Sequence, residues 1–315
     1  MRAPRRNAPL VTGLAVSTSE QSSRAAPLPT ASRRRLLALV GLAALCLVGF
    51  LTVYLVARGD AGHQIDEAGI AGRTAIGTQS FRAADLLLNV ITVSSLALAI
   101  IALGLVAVAR GRPLLALLAA AAIGGSVAIA QVLKVVLPQR DLAGYDVGLR
   151  FPSGHSTIAL SLALAAVLVA PAVLRRPLAV LGVVFASAVG IATVAAGWHR
   201  PSDVAGGFLL ASGWTAGLTA MTLAASPRDL RSEHRAAVAR PLDRLRTGLL
   251  WGAAAVIATG IGVAVGGHEA GRLRFVHVTP NFVAIATGIT ALAALALAAL
   301  VGSLGVLRER LAPEA

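Results

Sequence analysis

The stretch that decides the fold is RFPSGHSTIALSLALAAVLVA, residues 150–170, in which a polar opening is followed by an unbroken apolar run. Pro152 donates no backbone hydrogen bond, Ser153 is a preferred helix cap and Gly154 permits close backbone approach, so a helix is predicted to begin here. His155 places a titratable imidazole at the mouth of a segment that is long enough to enter a bilayer. The stretch therefore predicts a membrane helix with a polar site at its end.

The apolar character of this stretch extends through most of the chain. Of the 315 residues 57% are hydrophobic and 13% are charged, whereas about a quarter of the residues of a soluble domain are charged. Each long apolar segment can hold the roughly 20 residues that a helix needs to cross about 30 Å of hydrocarbon. We therefore predict an all-α integral-membrane helical bundle with eight spans, at 36–57, 86–109, 113–133, 156–174, 177–198, 204–227, 247–267 and 275–307.

The basic residues define the orientation of these spans. The net charge is +14, a value that by itself suggests a nucleic-acid partner, but the charges are not arranged as one basic surface. If the N-terminus is cytoplasmic, 19 of the 28 Lys and Arg residues fall in cytoplasmic segments. The positive-inside rule then predicts a multi-pass protein of the cytoplasmic membrane with both termini cytoplasmic, and no nucleic-acid partner.

The polar segments divide the chain. Residues 1–34 are rich in Arg, Ser, Ala and Pro and are predicted to form a disordered basic cytoplasmic tail. Six spans follow in 35–225, then a basic cytoplasmic loop at 226–246, a two-span C-terminal hairpin at 247–307 and a short tail at 308–315. The loop is either an interfacial helix on anionic lipid or a solvated segment that enforces topology. The single cysteine, Cys46, is predicted to serve packing.

With eight spans and a cytoplasmic N-terminus, three polar motifs fall on the outer face. They are KVVLPQRD at 134–141, RFPSGHS at 150–156 and GWHRPSDVAGG at 197–207. The second begins a helix, whose free N–H groups and positive dipole end attract anions. His155 there has the chemistry of a general acid for a leaving oxygen, and the alternative is a capped helix with an interfacial histidine.

The third motif places a histidine and a carboxylate across a helix start. His199 and Asp203 are four residues apart, with Pro201 suited to the first helical position. Asp203 would then select the tautomer of His199 and leave its other ring nitrogen free to attack, or the pair would serve only as a structural cap. Lys134 and Arg140 add cations on the same face, or snorkel to the membrane surface.

Taken together, the Lys/Arg element, PSGH and HRPSD resemble the type 2 phosphatidate phosphatase superfamily, which includes integral-membrane lipid phosphate phosphatases and polyprenyl diphosphate phosphatases. The resemblance covers roughly the first six spans. It implies a six-span phosphatase core in 35–225 and leaves the last two spans as an added hairpin. It also implies metal-independent catalysis without a cofactor.

The resemblance assigns roles to individual residues. His199 would be the nucleophile that forms a phosphohistidine, Asp203 its orienting carboxylate and His155 the acid that protonates the leaving group. The phosphate-binding residues that the resemblance implies are Lys134, Arg140, Ser153 and Gly154.

Two departures from the family pattern concern its cations. Five residues separate Lys134 from Arg140, where the family has six, and an aspartate follows in place of proline. The Ser-Arg pair that the family carries upstream of its histidine is Ala192-Thr193 in this chain.

One phosphate-binding cation is therefore missing, and the chain offers two replacements. Arg150 precedes PSGH and Arg200 adjoins the histidine of HRPSD. Either would supply the missing charge, and the alternative is that both face lipid headgroups.

The remaining polar and small residues are predicted to have structural roles. His63, Asp66 and Glu67 in the first outer loop are interpreted as ordinary loop polarity, since no zinc-like spacing is present. The pairs Gly124-Gly125 and Gly206-Gly207 predict close helix packing. Trp198 suits the membrane interface or a wall of the pocket.

These observations predict a hydrolase of the cytoplasmic membrane that removes phosphate from a lipid phosphate or a polyprenyl diphosphate at the outer face. Its partners would be membrane lipids and the lipid phosphate substrate. The alternative is a non-catalytic lipid-binding or scaffold protein of the same fold.

Overall fold

The structure is a computed structural model that describes residues 30–72, 78–139, 150–225 and 280–305. Within these ranges the chain is helical, as the sequence predicts. The helices, in chain order, are α1 Thr30–Arg58, α2 Asp60–Gly72, α3 Thr78–Asn89, α4 Val93–Ala109, α5 Pro113–Val136, α6 Gly154–Val169, α7 Ala172–Ala195, α8 Pro201–Ala225 and α9 Pro280–Gly305.

Five of the described helices, α1, α5, α7, α8 and α9, have the length and apolarity of a membrane span. Helices α4 and α6 are apolar but shorter, with 17 and 16 residues. The predicted span at 247–267, residues 1–29 of the basic tail, the loop at 226–246 and the tail at 308–315 lie outside the described residues. The chain is therefore a multi-pass membrane protein, and the count of eight spans stays a prediction.

Several helices begin or end at residues other than those predicted, because polar caps and proline set the boundaries. The prediction of one continuous helix over 86–109 is wrong. Thr92 and Ser95 form a capping box at which α4 begins as a separate helix. The predicted break between 174 and 177 is also wrong. The chain turns instead at Ala170, which is extended because Pro171 follows it, and α7 carries Pro177 in its interior. Helix α1 begins at Thr30, inside the segment predicted as a tail.

Small residues bring the helices into close contact around α8. An added Cβ at Gly213 of α8 would lie 3.0 Å from the Cβ of Cys46 in α1, and Cys46 is buried as predicted. An added Cβ at Gly125 would lie 2.5 Å from the Trp214 indole, which confirms close packing there. At Gly124 nothing lies within 4 Å, so the prediction of close packing is wrong for that residue.

The starts of α6 and α8 lie side by side. The Ser153 N–H donates to the Asp203 carbonyl at 2.9 Å, which joins the residue before α6 to the first turn of α8. An added Cβ at Gly206 would run into the Phe151 ring, and one at Gly207 would lie 2.7 Å from the Ser153 carbonyl oxygen. The predicted close packing of this glycine pair is confirmed, and it brings two of the three polar motifs together.

Replacing Gly207 with alanine is expected to push the two helix starts apart, since its Cβ would also lie 3.0 Å from Thr157 Oγ1. Overpacking of this kind costs about 1–3 kcal/mol, so thermal unfolding in detergent should occur at a lower temperature. Gly302→Ala in α9 is the matched control, because nothing lies within 4 Å of its added Cβ. Equal unfolding temperatures for the two variants would contradict the packing argument.

Candidate active site

A tight chain reversal after α7 places His199. Gly197 has a φ of 72°, the left-handed conformation that glycine adopts without strain. The Gly197 N–H donates to the Val194 carbonyl and the Trp198 N–H to the Thr193 carbonyl, both at 2.9 Å, which is the Schellman pattern of a helix end. The His199 N–H also donates to the Thr193 carbonyl, at 3.2 Å, so the histidine backbone is held against the end of α7.

The first turn of α8 brings a carboxylate to this histidine. Nδ1 of His199 lies 3.3 Å from Oδ2 of Asp203, and the same oxygen accepts the backbone N–H of Arg200 at 3.0 Å. The two side chains are only 12% and 5% exposed. With the proton on Nδ1, facing the carboxylate, the lone pair of the ring is on Nε2 and is available for attack on an electrophile.

The start of α6 supplies backbone N–H groups. Ser153 is fully buried, and its hydroxyl accepts the N–H of Ser156 at 3.3 Å and the hydroxyl of Ser156 at 3.0 Å. The first intrahelical bond runs from the Thr157 N–H to the Ser153 carbonyl. The N–H groups of Gly154 and His155 precede that bond, so they face the end of the helix where an anion is stabilised. Ser153 itself acts as the helix cap.

A lysine and a tryptophan complete this end of the bundle. Lys134, near the end of α5, places Nζ 3.1 Å from the position that a Cβ of Gly154 would occupy. Its charge interacts with those of Asp203 and Arg150. The His155 and Trp198 rings meet edge to face, with centroids 5.3 Å apart. Trp198 therefore lines the site.

The two candidate replacement cations differ in exposure and in the charged groups near them. Arg150 is exposed, and its charge acts on Lys134. Arg200 is 7% exposed, its charge acts on Asp66, and its Nε is buried without a hydrogen-bond partner among the described residues. Arg140, the second predicted phosphate-binding cation, lies outside the described residues. Thr193, where the family carries arginine, is fully buried, and its hydroxyl donates to the Gly190 carbonyl at 2.7 Å.

Asp66 is a residue whose role the sequence analysis missed. The carboxylate belongs to α2, is 2% exposed, and accepts the backbone N–H of Ser202 at 3.0 Å and the Ser202 hydroxyl at 2.6 Å. Burial raises the pKa of the Asp66 carboxyl, and the two bonds from Ser202 oppose this rise. The interpretation of Asp66 as an ordinary polar loop residue is therefore wrong. No local capping motif marked it, because its partner is 136 residues away in the chain.

The neighbours of Asp66 do not form a metal site with it. His63 Nδ1 and Glu67 Oε1 lie 3.9 Å apart, and both side chains are about one-third exposed, at 32% and 35%. Throughout the described ranges, no group of three His, Cys, Asp or Glu side chains is arranged to hold a metal ion.

Residues 90–227 match the family model of the PAP2 superfamily. This match confirms the resemblance predicted from the PSGH and HRPSD motifs. No curated protein and no solved structure matches the chain. The matched residues run from the turn before α4 to just beyond α8, so α1, α2, α3 and α9 lie outside the matched region.

Members of the PAP2 superfamily are phosphatases, which indicates phosphatase activity on phosphate esters for this chain. The apolar helices and the family together indicate a lipid-type substrate.

Removing the Asp66 carboxylate is expected to loosen the start of α8. In Asp66→Ala the Ser202 N–H and hydroxyl lose their acceptor, and a polar group left unsatisfied in a buried position costs about 1–3 kcal/mol. Thermal unfolding in detergent should therefore occur several degrees lower than in wild type. Glu67→Ala, at the adjacent and more exposed position, is the control and should change little. A similar small effect of both variants would show that Asp66 does not hold α8.

Proposed function

We propose that the protein is a metal-independent membrane phosphatase that removes phosphate from a lipid phosphate or polyprenyl diphosphate through a phosphohistidine on His199. The observation that carries this proposal is the His199–Asp203 pair, at 3.3 Å, beside the start of α6 and the Lys134 ammonium. A nucleophile, an anion-attracting helix end and a cation thus share one end of the bundle. Phosphoryl transfer depends mainly on such positioning and charge stabilisation.

In the first step, Nε2 of His199 attacks phosphorus in line with the leaving oxygen. The P–N bond forms as the P–O bond to the lipid alcohol, or to the remaining phosphate of a diphosphate, breaks. Asp203 stabilises the positive charge that develops on the His199 ring, while Lys134 and the N–H groups of Gly154 and His155 stabilise the phosphoryl oxygens.

His155 serves the leaving group in this scheme. A bound phosphate anion favours the protonated form of a nearby imidazole, and His155 then donates that proton to the departing oxygen. In the second step, His155 accepts a proton from the attacking water, the P–N bond breaks, and inorganic phosphate is released. At the end of the second step His155 and His199 have returned to their starting protonation states, and neither step requires a metal ion.

The position of the site supports a lipid substrate. The residues of the proposed site lie near the end of α5, at the start of α6 and at the start of α8, so a headgroup would reach them while its hydrocarbon chain stays in the bilayer. The distribution of basic residues favours a cytoplasmic-membrane protein with this site on the outer face.

A decisive experiment compares phosphate release by wild type and His199→Ala in detergent with a chelator present. The substrates are phosphatidate, phosphatidylglycerol phosphate and a polyprenyl diphosphate. Wild type should release phosphate from at least one of them, and His199→Ala should be slower by at least about a thousandfold, as expected for loss of a nucleophile. His63→Ala, at a half-buried histidine of α2, is the control and should retain activity.

Phosphate release by neither wild type nor variant would favour the alternative, a non-catalytic lipid-binding or scaffold protein of the same fold. The observation behind that alternative is the fully buried Thr193 at the position where the family has an arginine. Inhibition of wild type by the chelator would instead contradict the metal-independent mechanism.

We further propose that Arg150 supplies the charge that Thr193 lacks, because its guanidinium acts on Lys134 while that of Arg200 acts on Asp66. Loss of a charge-assisted contact of about 2 kcal/mol corresponds to roughly a thirtyfold loss of rate. Arg150→Gln should therefore lower kcat/KM by that order, while Arg82→Gln, an exposed arginine of α3, should not. If Arg200→Gln lost activity without a loss of stability and Arg150→Gln did not, the assignment would pass to Arg200.

A further inference from the structure

The side chain of Gln139 joins the end of α5 to the segment that leads into α6. Its Oε1 accepts the backbone N–H of Phe151 at 3.0 Å, and its Nε2 donates to the Leu137 carbonyl at 3.0 Å. Longer contacts of 3.4 Å join Nε2 to the carbonyls of Lys134 and Phe151. Phe151 lies 12 residues further along the chain than Gln139, so this one amide bridges two elements of the fold.

The bridge depends on the chemistry of an amide side chain. The Phe151 N–H is a donor and requires an acceptor, whereas the carbonyls around Gln139 Nε2 require a donor. A carboxylate would offer no donor to those carbonyls, and an apolar side chain of the same length would satisfy neither partner. Phe151 is buried, so its N–H has little access to water as a substitute acceptor.

A tyrosine of α1 contacts both of the elements that the amide joins. The Tyr54 hydroxyl donates to the Pro138 carbonyl at 3.1 Å, and its ring packs against the Phe151 ring with centroids 5.4 Å apart. Arg58 donates to the same Pro138 carbonyl and to the Tyr54 hydroxyl. Phe50 adds a second ring contact with Phe151, with centroids 5.1 Å apart. Helix α1 therefore supports the same junction as the amide.

The two elements carry groups of the candidate phosphate site. Lys134 lies in the last turn of α5, and Gly154 begins α6 three residues after Phe151. Lys134 Nζ is 3.1 Å from the position that a Cβ of Gly154 would occupy, so one phosphate can contact both the ammonium and the N–H groups of the helix start. Helix ends fray unless their last carbonyls find partners, and Lys134 is carried by such an end.

We propose that Gln139 and Tyr54 are positioning residues of the phosphate site, which keep the Lys134 ammonium within reach of an anion at the start of α6. This inference rests on the proposed function. Both residues act through the backbone at the end of α5 and not by contact with phosphate. Tyr54 lies outside residues 90–227, so the site uses a part of the chain that the PAP2 match does not include.

The test is a double-mutant cycle between Gln139→Met and Lys134→Gln, with kcat/KM measured for the lipid substrate that wild type hydrolyses best. Methionine has nearly the length of glutamine and removes both hydrogen-bonding groups. Gln139→Met is expected to lower kcat/KM by about tenfold or more, because it displaces a charge that stabilises the transferring phosphoryl group. In the Lys134→Gln background the same change should have less than about a threefold effect, since the charge is already absent.

Two further variants complete the cycle. Gln64→Met is the matched control, because Gln64 is an exposed glutamine of α2, and it should leave kcat/KM unchanged. Tyr54→Phe tests the contact from α1 and keeps the test valid if Gln139→Met does not fold. It removes only the bond to the Pro138 carbonyl and keeps the ring against Phe151. A smaller loss of about threefold is therefore expected, and none in the Lys134→Gln background.

Binding of inorganic phosphate, measured by isothermal titration calorimetry in detergent, separates this inference from the proposed function. Wild type should bind phosphate, and Gln139→Met should bind it at least about fivefold more weakly. That result would support the positioning role even if the chain hydrolysed none of the lipids.

Three outcomes would overturn the proposal. If wild type hydrolyses a lipid phosphate while Gln139→Met and Tyr54→Phe equal it in kcat/KM and in phosphate affinity, the positioning role fails and the phosphatase proposal stands. If Gln139→Met causes the same loss with and without Lys134, the residue serves the fold as a whole. If wild type neither binds phosphate nor releases it from a lipid, the positioning role and the proposed function fail together.

Discussion

One backbone hydrogen bond, from the Ser153 N–H to the Asp203 carbonyl, determines the relative positions of the groups that make up the site. It joins the two helix starts that carry the anion-attracting N–H groups and the carboxylate of the His199 pair. Ser153 and Asp203 are buried, so breaking this bond would leave polar groups unpaired inside the protein, and the junction is costly to open. Gly207 permits the approach because it has no side chain there, and the chemistry of the site therefore depends on a feature of the main chain.

Helices α2 and α9, which lie outside the PAP2 match, support the first turn of α8 next to that junction. Helix α2 packs between α8 and α9 at Gly69. An added Cβ there would lie 2.5 Å from Pro201 of α8 and 2.7 Å from Ile285 of α9. From this position Asp66 reaches the first turn of α8 and accepts both donors of Ser202. Helix α9, which the sequence presents only as part of an added hairpin, thereby supports the start of the helix that carries Asp203.

The sequence predicts those structural features that depend on residues close together in the chain. It misses those that depend on contacts between residues far apart in the chain. The cap at Ser153, the proline start of α8 and the four-residue spacing of His199 and Asp203 are visible because their partners are neighbours in the chain. The break at Thr92 had a local signal too, but apolarity on both sides of it suggested one helix. Asp66 could not be identified, because its burial depends on α8 and α9 packing around a segment that in isolation is polar and short.

The reversal after α7 has a consequence for how this protein can vary. His199 is held by the carbonyl of Thr193 and not by the side chain of that residue. Every amino acid carries such a carbonyl, so this hydrogen bond to His199, the proposed nucleophile, does not depend on the residue type at 193. Under the proposed mechanism, the strength of phosphate binding could thus vary with the side chain at 193 while the backbone that positions His199 stays the same.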